Sequence, residues 1–165
     1  MPDDLIDKLA SQIKAKEDAA ALSAQIQLHK AEFIRANCEA FFGRVGDELK
    51  QLTDELSAAL AGSSSADPPI LFSKQAISVA IDKDDFPNAH ANLNVNAQAL
   101  NLQFGLRWSP RRGDPGGGRS NGTWKFDVNQ DNDLILVNNP GAPAARFTNP
   151  KEVAEFVIST IFTVA

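Results

Sequence analysis

The chain has 165 residues, 43% of them apolar and 22% charged, with a formal net charge of −5. That profile describes one globular domain with enough surface lost on folding for a real core, and it excludes a disordered chain. A single cysteine, Cys38, excludes an internal disulfide, and the acidic balance disfavours nonspecific nucleic-acid binding.

The chain opens on Met-Pro-Asp-Asp-Leu, which has no basic region or apolar core and does not read as a signal peptide. No apolar run approaches the ~20 residues needed to cross a bilayer. The expectation is a cytoplasmic, bacterial protein with no membrane contact.

Residues 1–61 form the first predicted element, a long helical segment. From Ile34 onward, Cys38, Phe41, Val45, Leu49, Leu52, Leu56 and Leu60 follow in steps of four and three, so they share one side of a helix. The stripe recurs every eleven residues, about 3.67 per turn, and stays on a nearly straight helix. Gly43 and Gly46 sit inside it without a phase change. Before residue 30 the stripe is thinner: Leu5, Leu9 and Ile13, then Ala19, Leu22 and Ile26. No Gly or Pro marks a turn between residues 14 and 30, so a projecting or fraying helix is expected there rather than a hairpin.

Residues 62–69, Gly-Ser-Ser-Ser-Ala-Asp-Pro-Pro, read as a helix stop and linker. Residues 70–165 then carry strand patterns. Ile77, Val79 and Ile81 alternate with small or polar residues, as do Leu93, Val95 and Ala97. Leu100, Leu102, Phe104, Leu106 and Trp108 alternate in the opposite phase, which calls for a bulge or corner between Ala97 and Leu100. Trp124, Phe126 and Val128 form a further strand, and Leu134–Val137 a short apolar one. Asn149-Pro150-Lys151-Glu152 offers an N-cap, a proline at the first helical position and a glutamate at the third, opening a carboxy-terminal helix. The predicted fold class is α+β: a long amino-terminal helix, an antiparallel sheet of four or five strands joined by hairpins, and a carboxy-terminal helix. Both helices are placed on one face of the sheet, and residues 31–61 form one structural unit with 70–165.

Residues 106–126 carry a net charge of +4, the one basic island in the chain. Ser109–Gly122 reads as a Gly-rich loop between two strands that each hold a tryptophan. Arg107, Arg111, Arg112, Arg119 and Lys125 are candidate anion ligands on its rim, with Trp108 and Trp124 candidates for stacking on a base. The competing account is a hairpin loop whose tryptophans belong to the core. A phosphate loop does not fit, because Thr123 stands where lysine is required and a strand follows. Arg112-Gly113-Asp114 is a tripeptide that chance supplies easily.

Asp127, Asn129, Asp131 and Asp133 match the first four ligand positions of a calcium loop. Asn132 and Asn138 stand where glycine and glutamate belong, so an Asx-rich turn accounts for the same residues without an ion. His29, His90 and Cys38 lack zinc-site spacing. Asp82, Asp84 and Asp85 read as a solvated loop before Pro87. Ser11–Lys14 lacks the companion motifs of serine–lysine enzymes, and no Gly-x-Ser-x-Gly elbow occurs. Nothing in the sequence points to an enzyme, a cofactor or a resident metal.

Two functions follow. The first is a small noncatalytic interaction protein, adaptor or chaperone-like, that forms a homodimer through its amino-terminal helix and can take a protein partner. The second is a ligand-binding domain that holds a nucleotide or other anion with loop 107–125.

Overall fold

A computed structural model describes residues 2–62, 68–85, 87–109, 117–138 and 146–162, with side chains from residue 4 onward except that of Arg146. Helix α1 spans Pro2–Leu60 and runs unbroken through residues 14–30. Seven strands follow: β1 (Leu71–Lys74), β2 (Ser78–Lys83), β3 (Asn88–Asn96), β4 (Asn101–Ser109), β5 (Gly118–Val128), β6 (Leu134–Val137) and β7 (Arg146–Phe147). Helix α2 spans Pro150–Phe162. The strands lie in one sheet in chain order, every pair antiparallel, so the fold is α+β. By contact density the chain divides into Met1–Phe33 and Ile34–Ala165.

Four or five strands were expected, and the difference lies at the sheet edges. β1 and β7 have four and two residues, too short for a period-2 pattern to register. A second correction concerns the Gly-rich segment. Strand β5 begins at Gly118, not after Gly122, and its ladder with β4 pairs Trp108 with Gly118 and Phe104 with Gly122. Both glycines sit beneath aromatic rings. A Cβ on Gly118 would come within 2.5 Å of the Trp108 ring, and one on Gly122 within 2.8 Å of the Phe104 ring. In a strand, glycine marks such close approach as well as a loop.

The phase flip between β3 and β4 is a four-residue turn. Asn96 Oδ1 accepts hydrogen bonds from the backbone N–H groups of Gln98 and Ala99, at 3.1 and 3.0 Å. Leu100, expected in the strand, closes the turn with φ of 56°, a region L-residues seldom enter. Its carbonyl accepts the Phe126 N–H, and its side chain packs on the core.

Alternation sorts the sheet into two faces. One carries Val79, Ile81, Leu93, Leu102, Leu106, Trp124, Phe126 and Leu136, all buried. Both helices cover this face. Phe41 of α1 meets the Phe126 ring edge-on at 5.7 Å, and Phe156 of α2 meets Trp124 at 5.7 Å. From α1 the buried side chains are Ile34, Cys38, Phe41, Phe42, Val45, Leu49 and Thr53. Gly46 lets Lys74 lie across the helix, where its ammonium donates to the Gly43 carbonyl (3.0 Å) and pairs with Asp47 (2.8 Å). Helix α2 opens with the expected N-cap: Asn149 Oδ1 accepts the Glu152 N–H at 3.0 Å, and the Glu152 carboxylate accepts the N–H of Thr148, the residue before the cap, at 2.9 Å.

Candidate functional site on the open sheet face

Across β2 to β5 the second face of the sheet is polar, while Leu71 of β1 and Ile135 and Val137 of β6 are apolar on the same side. Its residues align in transverse rows, because cross-strand partners in an antiparallel sheet point the same way. One row reads Asp82, His90, Arg107, Arg119 across β2 to β5. The next reads Ala80, Asn92, Gly105, Asn121, and a third Ser78, Asn94, Gln103, Thr123. The first two rows surround a depression of about 340 Å³. Ala80 and Gly105 form its floor, with Asn121 Oδ1 3.3 Å from where a Cβ on Gly105 would lie, while Asp82, His90, Arg107 and Arg119 form one wall, with Asn92 beside it.

The wall has an ordered part and an open part. His90 Nδ1 lies 2.8 Å from Asp82 Oδ1, and both side chains are partly shielded. The carboxylate thus fixes the ring and leaves Nε2 as the second hydrogen-bonding edge. Arg107 and Arg119 are exposed and sit directly opposite each other. Like charges in that position repel. Among the described residues no carboxylate lies within ion-pair reach of either guanidinium.

The expected anion site is therefore divided. Arg107, Arg119 and Lys125 share the open face, but Lys125 stands six residues along β5 from Arg119, about 20 Å at the usual strand rise. Trp108 and Trp124 lie on the opposite, helix-covered face. Trp124 is 2% exposed and stacked with Phe104 at 4.0 Å, and the Trp108 ring lies over Gly118, so neither joins the arginines. Arg111, Arg112 and the Arg-Gly-Asp tripeptide lie outside the described residues. Asp82 is no loop residue: it belongs to β2 and holds His90. The sequence signal for this face was the polar alternation of His90, Asn92, Asn94 and Asn96 between Ala89, Ala91, Leu93 and Val95.

Asp127, Asn129, Asp131 and Asp133 line the β5–β6 turn. Asn129 Oδ1 accepts the backbone N–H groups of Asp131 (3.0 Å) and Asp133 (2.8 Å), Asp127 Oδ1 accepts that of Val128 (2.8 Å), and Asn132 takes φ of 62°. This is an Asx turn closing a hairpin. Among the described residues no group of three or more His, Cys, Asp or Glu is placed to hold a metal ion. Cys38 is fully buried, and burial, aided by the neighbouring Glu39 charge, raises its thiol above the ordinary value. No helix among the described residues is long and apolar enough to cross a membrane.

Compared with family models, curated proteins and solved structures, the chain matches none of them.

Proposed function

We propose that the protein is a noncatalytic interaction module, adaptor or chaperone-like, that self-associates as a homodimer through the first half of α1. One observation carries this reading: every described side chain from Asp4 to His29 is exposed, and seven of them are large and apolar. Leu22 is 58% exposed and Ile26 47%, where a covered stripe would be near zero. Helices in proteins draw most of their stability from a packed apolar face rather than from propensity.

The spacing suits a helical partner. Leu5, Leu9 and Ile13 follow in steps of four, as do Leu22 and Ile26, so each group shares one side of the helix. A second copy supplies the same groups by two-fold symmetry. Each large apolar side chain that leaves water contributes about 1.5–3 kcal/mol.

Sedimentation equilibrium tests the proposal on the full chain. The wild type is expected as a dimer, and the double substitution Leu22→Glu/Ile26→Glu as a monomer with the near-ultraviolet signal of buried Trp124 intact. A wild type that stays monomeric at high concentration, or a variant that stays dimeric, refutes the assignment.

A further inference from the structure

We infer that the open sheet face binds a small phosphorylated molecule, its phosphate held between Arg107 and Arg119 and its body lying over Gly105 between Asn92 and Asn121. This site is independent of the helix proposed above to pair. It also differs from the loop site suggested by the sequence, since it uses strand residues and no tryptophan.

The charge pattern comes first. Two guanidiniums stand opposite each other in a chain of net charge −5, repelling one another and lacking a carboxylate partner among the described residues. An anion placed between them turns that repulsion into two charge-assisted contacts. Asp82, in the same row, pairs with His90 at 2.8 Å and with neither guanidinium.

Donor count selects the anion. Two guanidiniums present about ten N–H donors in planar forks, and His90 adds an edge in the same row. One carboxylate has two oxygens and satisfies a single fork. A phosphomonoester offers three terminal oxygens and a charge of about −1.5 to −2, and so meets both forks together.

The floor selects size and kind. About 340 Å³ lies at the lower end of small-molecule sites. Ala80 leaves room above its strand, the Asn121 carboxamide reaches over Gly105, and the carboxamides of Asn92 and Asn121 each offer a donor and an acceptor. These groups suit a hydroxyl-bearing body such as a sugar. A nucleic-acid strand fits poorly, because both tryptophans face the other way and leave His90 as the one aromatic ring in these rows.

Calorimetric titration of the full chain with glucose 6-phosphate, glucose and inorganic phosphate tests the assignment. Glucose 6-phosphate should bind tightest, inorganic phosphate at least about tenfold more weakly, and glucose not measurably. Arg107→Gln and Arg119→Gln should each weaken glucose 6-phosphate at least about tenfold, the value of one charge-assisted hydrogen bond. Both side chains are exposed, so these variants should fold, and melting curves verify that. Gly105→Val should abolish the preference for the sugar phosphate over inorganic phosphate, while Lys50→Gln on α1 should change nothing. The proposal is overturned if glucose 6-phosphate does not bind at millimolar concentration, if either arginine variant binds it as well as wild type, or if a single-stranded oligonucleotide binds more tightly.

Discussion

One helix contains two regions with opposite surroundings. Between Ile34 and Thr53, α1 buries Ile34, Cys38, Phe41, Phe42, Val45 and Leu49 in the core, while from Asp4 to His29 it buries nothing. Backbone geometry is the same in both. The difference lies in what covers the apolar residues, and it teaches that helical spacing reports a face needing cover without reporting where the cover comes from. In the second half the sheet supplies it. In the first half, on the reading above, a second copy does.

Truncating each half separates the two roles most sharply. Phe42→Ala removes a fully buried ring and should cost about 3–5 kcal/mol in the folding of Ile34–Ala165, read by chemical denaturation. Leu22→Ala should leave that transition within about 0.5 kcal/mol, as for a surface position, and weaken self-association instead. A large loss of folding stability from Leu22→Ala would erase the distinction.

A smaller effect tests the covered half alone. Gly43 has open space around its Cα, so Gly43→Ala should stabilise by up to about 1 kcal/mol through helix propensity. A Cβ on Gly46 would come within 2.9 Å of the Lys74 side chain and disturb its reach to Gly43 and Asp47. Gly46→Ala should therefore gain less than Gly43→Ala or lose stability, as thermal melts can show. Equal gains would mean that Lys74 does not rest on the helix.

At neutral pH the smallest effect belongs to Cys38. Its folded thiol titrates above the ordinary 9.0, chiefly because burial disfavours the thiolate. A raised folded value means the native state holds its proton longer than the unfolded chain does. The associated stability is complete below about pH 9 and falls away as pH rises further. Denaturation midpoints from pH 7 to 10 should decline more in wild type than in Cys38→Ala, and alkylation of the native thiol should be slow. Parallel pH profiles would contradict the burial.

Much of this architecture was legible because it obeys a period. The stripe from Ile34 to Leu60, the alternations in β2 to β5 and the Asn149–Glu152 cap all state a face or an end directly. Phe42 escaped notice because it lies beside the stripe, yet it is wholly buried. β1 and β7 are too short to show a period, and Leu100 broke the rule that residues with positive φ are Gly, Asn or Asp. The open-face site was legible only in fragments. His90, Asp82, Arg107 and Arg119 sit on four strands, and only the register brings them into one row. Glycines 118 and 122 misled because rings lie over them, a cause that sequence spacing does not encode.

Hydrogen exchange of the full chain across a dilution series tests the central claim most directly. Backbone amides in 4–29 should be protected at high protein concentration and lose that protection on dilution as the dimer dissociates, while those in 34–53 keep theirs throughout. Protection in 4–29 that does not change with concentration, or that is absent at the highest concentration, would contradict the account.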